Sequence, residues 1–123
     1  MATVELTAEN FADVVNAGEI VLVDFWAAWC GPCRAFGPVF ESAAEQYPDI
    51  VFGKVDTEAQ QDLAAAFGIQ SIPTLMAFRE QVILFAQPGA LPAAALDALI
   101  TQIQAVDMED VRAELKEQAA TER

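Results

Sequence analysis

The run Ile20-Val21-Leu22-Val23-Asp24-Phe25-Trp26-Ala27 is apolar at every position but one. It does not alternate, so a strand built from it is buried on both faces, as in a sheet covered on each side by helices. The rest of the chain supplies the cover. Thr7 is placed to cap a first helix with Phe11, Val14 and Val15 turned inward, ending near Gly18. Residues 31–47 have helical spacing, with Cys33, Phe36, Phe40, Ala44 and Tyr47 on one face, and Pro38 inside them is expected to kink the axis. A second buried strand covers 50–55. Thr57 and Gln60 have the spacing of a capping box, opening a helix through Phe67 that Gly68 stops. Strands over 74–78 and 82–86 share a very short turn, hence run antiparallel. Pro92 takes a first helical position, and Leu96, Leu99, Ile100 and Ile103 line a closing helix. This order predicts an α/β fold: a mixed sheet with helices on both faces.

At 123 residues and 54% hydrophobic, the chain fits one domain with ample core material. Met1-Ala2-Thr3-Val4-Glu5 lacks the basic and apolar regions of a signal peptide. No apolar stretch approaches the ~20 residues of a membrane span. A cytoplasmic protein without a membrane partner is expected. The net charge of −13, from 19 acidic and 6 basic residues, repels phosphate backbones and argues against nucleic acid. Solubility is the plain account of that charge, and a preference for partners with basic rims is a secondary one.

The chain's two cysteines follow the doubly buried run directly, within Trp29-Cys30-Gly31-Pro32-Cys33. Thiols at that spacing, where a strand meets a helix, fall within the ~4.4–6.8 Å between Cα atoms that a disulfide requires. So small a ring removes little entropy from the unfolded chain, which favours chemistry over scaffolding. In a reducing compartment a close pair means redox or metal work. With no histidine and no second cysteine pair, a zinc site would need two carboxylates beside the thiolates, an unusual set. A metal shared between two chains stays open; otherwise no metal is assigned.

Val23-Asp24-Phe25-Trp26-Ala27-Ala28-Trp29-Cys30-Gly31-Pro32-Cys33, Lys54-Val55-Asp56, Ile72-Pro73-Thr74 and Gly89-Ala90-Leu91 together resemble the thioredoxin family, in its order and at its spacing. The resemblance covers residues 1–105 and leaves 106–123 as an acidic extension. It implies the thioredoxin fold, a central mixed sheet flanked by four helices. It implies a protein dithiol–disulfide oxidoreductase that reduces disulfides in client proteins, carrying electrons for cell redox homeostasis. No bound cofactor is implied. Reducing equivalents would come from NADPH through a flavin-dependent thioredoxin reductase, so that reductase and disulfide-containing clients are the expected partners.

Thiolate, not thiol, attacks a disulfide. Cys30 precedes a helix, where unpaired N–H groups and the positive end of the dipole favour a negative sulfur. Cys30 is therefore the expected nucleophile, and Cys33, one turn in and less accessible, the resolving thiol. Asp24 stands alone among apolar neighbours; a carboxylate buried without partners has a raised pKa and exchanges a proton near neutrality. The matching residue of the family serves as base for the second cysteine, and Lys54 matches the lysine that modulates it. An Asp24 satisfied by backbone or by Lys54 is the structural alternative. Pro32, with fixed φ and no N–H, suits the first helical turn, and Gly31 admits a partner's backbone; by resemblance a Gly-Pro pair here tunes the site towards reduction. Ile72-Pro73 matches the family's cis-proline turn, a cis bond being found essentially only before proline. The Ile72 backbone would then pair with an extended client segment as an added strand does. Trp29, Ile72, Pro73, Thr74, Gly89 and Ala90 complete a shallow substrate groove; Trp29 could equally be a core residue, and for Trp26 the core reading is the better one.

Two features leave the family pattern. Arg79-Glu80-Gln81 has no glycine where an Asn-Gly-like turn is common, so that turn is of another type or strained. Val82-Ile83-Leu84-Phe85-Ala86 is apolar without alternation in a strand expected at the sheet edge, which invites aggregation unless covered. The tail is the candidate cover: Asp107 can cap a helix with Glu109 and Asp110 in its first turn, Lys116 further on, and a stripe of Met108, Val111, Leu115 and Ala119. It packs on its own domain or on a second copy, or it is a frayed end. A monomer is expected, with a tail-mediated dimer as the alternative.

Overall fold

Val4–Glu5 (β1), Ile20–Trp26 (β2), Val51–Asp56 (β3), Thr74–Arg79 (β4) and Val82–Pro88 (β5) form one sheet in the order β1-β3-β2-β4-β5. The structure is a computed structural model and describes residues 2–121. β1, β3 and β2 run parallel, while β4 is antiparallel to β2 and β5 to β4. The mixed sheet is as expected, and β2 has a neighbour on each side. β1 is the element that periodicity did not reveal. Leu6, fully buried just beyond it, covers Gly53, where any Cβ would collide with the Leu6 side chain, and its N–H donates to the Lys54 carbonyl (2.8 Å).

The helices are Phe11–Ala17 (α1), Gly31–Gln46 (α2), Gln61–Ala66 (α3), Ala93–Ala105 (α4) and Met108–Thr121 (α5). Alternation along β2 divides the interior in two. On one face Leu22, Phe52 and Leu75 meet Phe36 and Phe40 of α2 and Leu96 and Ile100 of α4. On the other, Val21, Val23, Phe25 and Phe78 meet Phe11 and Val15 of α1. Each such fully buried side chain contributes about 1.5–3 kcal/mol over leaving it in water. Phe67, just past α3, sits at ring-centroid distances of 5.0, 6.0 and 6.1 Å from Phe11, Phe25 and Phe78. α2 continues through Pro38.

Two expected caps are not made. α1 begins four residues after Thr7, with Asn10 at its N-cap position: the Thr7 N–H donates to Asn10 Oδ1 (2.7 Å), and its carbonyl accepts from Phe11. The capping box at Thr57 and Gln60 is absent as well. Both the N–H and the hydroxyl of Thr57 donate to the Trp26 carbonyl (2.9 and 3.0 Å), and the Gln60 side chain accepts from Ala8 (2.9 Å). At Thr57 and Gln60 tertiary partners outcompeted the local ones, whereas Thr7 lost the cap to its neighbour Asn10. Pro92 is the residue before α4 rather than its first.

The β4–β5 hairpin resolves both anomalies. Ala77 faces Phe85 but Phe78 faces Ile83, so Leu84 is an extra residue, a β-bulge. Leu84 and Phe85 consequently both pack against the α2/α4 core, and Ile83 is left 47% exposed. The missing alternation is a bulge, not a second buried face. Glu80 (φ 50°) and Gln81 (φ 69°) are both left-handed, the requirement of a two-residue type I′ turn; the turn is the glycine-free, strained one. Beside it, Arg79 Nη1 donates to the carbonyls of Ile103, Gln104 and Val106 (2.8, 3.1 and 2.7 Å), satisfying acceptors that a helix end leaves open.

α5 then starts from the expected cap, with Asp107 Oδ1 accepting from Glu109 and Asp110 (2.9 and 3.3 Å). Only the beginning of its apolar stripe is covered: Met108 is buried and Val111 half-buried, while Leu115 and Ala119 are exposed. Arg112 forms an ion pair with Glu80. The tail is therefore tied to the hairpin turn, and the edge residue Ile83 stays in solvent. Because L-residues in left-handed backbone cost about 1–2 kcal/mol each, Gln81→Gly is expected to raise stability by about 1 kcal/mol, read as a higher urea midpoint at unchanged m-value.

Candidate active site at the strand–helix junction

The end of β2 and the start of α2 are joined by a tight turn in which the Cys30 N–H donates to the Ala27 carbonyl (3.2 Å). Cys30 has extended backbone (φ −89°, ψ 115°) and is the N-cap of α2. Its Sγ accepts the Cys33 N–H at 3.2 Å, so sulfur stands where a capping oxygen would. Pro32 needs no acceptor in this first turn, and the positive end of the helix dipole falls on the Cys30 sulfur. The two cysteines are joined as a disulfide with Cα atoms 5.2 Å apart, inside the usual range.

Both cysteines are nearly buried, at 5% and 4% exposure. The expected difference in accessibility is thus not present in this oxidised form; what separates the two is that Cys30 holds the helix cap. Cys30 Sγ also lies 3.7 Å from the Ile72 carbonyl oxygen. Cys30, Cys33 and Ala27 form a small cluster of their own, flanked by Trp26 and Ile72.

The rim comes from three other segments. The Ile72–Pro73 peptide is cis, as expected. Its loop is pinned by Thr74 Oγ1 donating to the Ser71 carbonyl (2.5 Å) and by the Gly89 N–H donating to the Pro73 carbonyl (2.8 Å). Gly89 has φ 120°, a conformation that favours glycine. Gly31, Pro32, Gly89 and Ala90 are exposed, and a Cβ on Gly31 would meet nothing within 4 Å. Trp29 is 67% exposed, which rules out its core reading, and Trp26 is half-buried. Two participants had no signal in the sequence: Glu58 accepts from Trp29 Nε1, and Arg34 Nη1 donates to the Ala28 carbonyl (2.9 Å). Both contacts depend on how loops meet in space.

Asp24 is fully buried, and neither of its oxygens has a hydrogen-bond partner among the described residues. Burial pushes its pKa up from 3.8 to about 7, against the opposing pull of the Lys54 ammonium. Lys54 is its register neighbour on β3, with Nζ 5.1 Å from the centroid of the Trp26 ring. The arrangement is a poised carboxyl rather than a satisfied ion pair. Among the described residues no group of three His, Cys, Asp or Glu side chains could hold a metal ion, and no helix is long and apolar enough to cross a membrane.

The Thioredoxin family model matches residues 2–102 of this chain. A protein of Streptomyces coelicolor named as a thioredoxin is 65% identical over 119 residues, covering 97% of this chain and 89% of its own length. Thioredoxin C-2 of Corynebacterium nephridii is 44% identical over 101 residues, covering 80% and 94%. Among solved structures, a mutant thioredoxin from Halobacterium salinarum aligns with a TM-score of 0.79 at 33% identity, covering 85% of this chain and 93% of that one.

The raised pKa of Asp24 carries a stability prediction. Its carboxyl titrates near 3.8 when unfolded and at about 7 when folded, so between those values the folded form binds more protons. Stability therefore falls as pH rises from about 4 to about 7 and levels off above. Asp24→Asn removes this dependence and is expected to be more stable than the parent by roughly 2–4 kcal/mol at about pH 8. Urea unfolding of the two proteins across that range checks it; parallel curves would count against a poised carboxyl.

Proposed function

Since this chain belongs to the thioredoxin family and its Cys30–Cys33 pair makes it a dithiol–disulfide oxidoreductase, we propose that it is a general reductant of disulfides in client proteins, with Cys30 attacking, Cys33 resolving and Asp24 moving the proton. The observation that carries this division is the Cys33 N–H donated to Cys30 Sγ at 3.2 Å. A hydrogen bond and a helix N-terminus aimed at one sulfur favour its thiolate over that of its neighbour.

In the reduced protein the Cys30 thiolate attacks a client disulfide, forming a mixed disulfide and releasing one client thiolate, which takes a proton from water. The Cys33 thiol gives its proton to the Asp24 carboxylate, and the resulting thiolate attacks Cys30 Sγ. The second client thiolate leaves, and the protein ends as the Cys30–Cys33 disulfide. Two electrons have passed to the client. A carboxyl that titrates at about 7 suits this exchange, because both its forms are populated near neutrality; Lys54 modulates that balance.

The client lies as an extended segment against Trp29, Ile72, Gly89 and Ala90, pairing with the Ile72 backbone as an added strand would, while Pro73 and Thr74, both buried, hold the loop beneath it. Gly31 and Pro32 tune the pair, the first by leaving open space beside the sulfur, the second by stiffening the first helical turn. Residues 1–105 carry this chemistry, and 106–123 are an extension of it. The protein binds no cofactor of its own; NADPH recharges it through a flavin-dependent thioredoxin reductase, its partner beside the clients in cytoplasmic electron transport. A monomer suffices for every step.

With a disulfide-bonded client, Cys33→Ser is expected to accumulate a mixed disulfide on Cys30, seen as a reducible adduct by gel and mass spectrometry, while Cys30→Ser accumulates none. Equal adducts from both variants would overturn the assignment of the nucleophile.

A further inference from the structure

Three charged residues form a row across the sheet on the side of α2. Register places Asp24 beside Lys54 and Lys54 beside Glu5. Register partners on neighbouring strands share a face, so a buried carboxylate, a half-buried ammonium and an exposed carboxylate stand side by side. Thr3, which shares this face of β1 with Glu5, donates its hydroxyl to Glu41 of α2 (2.8 Å), which fixes the direction in which the row points. A Cβ on Gly37 of α2 would lie 3.8 Å from Lys54 Nζ, so the ammonium is roofed by the helix. No carboxylate is within ion-pair distance of it among the described residues. Outside it opens a cavity of about 300 Å³ lined by Thr3, Val4, Glu5, Trp26, Lys54 and Asp56.

We propose that Glu5, which lines this cavity together with Lys54, is a positioning residue which draws the Lys54 ammonium outward and so sets how firmly that cation holds the Asp24 carboxylate in its ionised form. The inference rests on Asp24 being the proton acceptor of Cys33. The charged groups facing Lys54 are Asp24 from β2, Glu5 from β1, Asp56 two positions along β3, and Glu41 from α2. Glu41 is already engaged by the Ala2 N–H (2.9 Å) and Thr3, and Asp56 Oδ1 by the N–H groups of Glu58 and Ala59 (2.9 and 3.3 Å), which leaves Glu5 as the outward pull.

The experiment is a ¹³C-carboxyl NMR titration of Asp24 in the reduced, full-length protein and in Glu5→Gln, Lys54→Met and the double variant. Glu5 is exposed, so its substitution leaves the fold intact. Glu5→Gln frees Lys54 to turn inward and is expected to lower the Asp24 midpoint by about half a pH unit; Glu5→Asp restores it, and Lys54→Met raises it. In the Lys54→Met background Glu5→Gln is expected to move nothing. No shift on Glu5→Gln, or the same shift with and without Lys54, overturns the proposal, the second outcome reducing Glu5 to a distant charge. The pH profile of client reduction is expected to follow the titration. Asp24→Asn reducing clients at an unchanged rate would instead reject Asp24 as the acceptor, whatever the titrations show.

Discussion

A strand with no face towards water is the constraint on which the rest depends. β2 is buried along nearly its whole length, so helices must cover it on both sides and strands must flank it on both edges. Whatever projects from its end is then held by the most rigid part of the molecule. The turn to Cys30 and the first turn of α2 inherit that rigidity, which is why a sulfur can occupy a capping position to within hydrogen-bond distance. The same burial isolates Asp24. A carboxylate in a strand with one solvated face would reach water and behave ordinarily; here it cannot.

The molecule carries this as a standing cost. A carboxyl that resists ionisation destabilises the fold at neutral pH, and hydrophobic replacement would remove the penalty. Its presence in β2, the strand that leads into the turn to Cys30, fits a site where function and stability pull apart. Among the described residues Lys54 is the base whose field is felt at Asp24.

The elements legible in the sequence were those whose burial pattern is local. β2 showed itself through its unbroken apolar run, α2 and α4 through helical spacing, and Cys30, Cys33 and Asp24 through their immediate neighbours. What stayed hidden was set by contacts between distant segments. β1 is two residues long and is held by Leu6 over Gly53, a fit that periodicity cannot express. Thr7 and Thr57 have cap spacing, yet their hydrogen bonds go elsewhere, to Asn10 within the same turn and to the distant Trp26 carbonyl. The bulge at Leu84 looked like a doubly buried strand because one inserted residue imitates lost alternation. Glu58, Arg34 and Glu5 have unremarkable neighbours in sequence and acquire their places only through loop approach or strand register.

Arg79 grips the end of α4 at the opposite end of β4 from Thr74, and register sets Arg79 against Ile20 and Thr74 against Phe25. The tail departs from that far rim. The strand between the two ends is about 17 Å long at ~3.3 Å per residue. The start of the tail is thus held a strand's length from the rim that carries the thiols, and strain applied at that anchorage would reach the hairpin turn and the end of α4 before the redox turn.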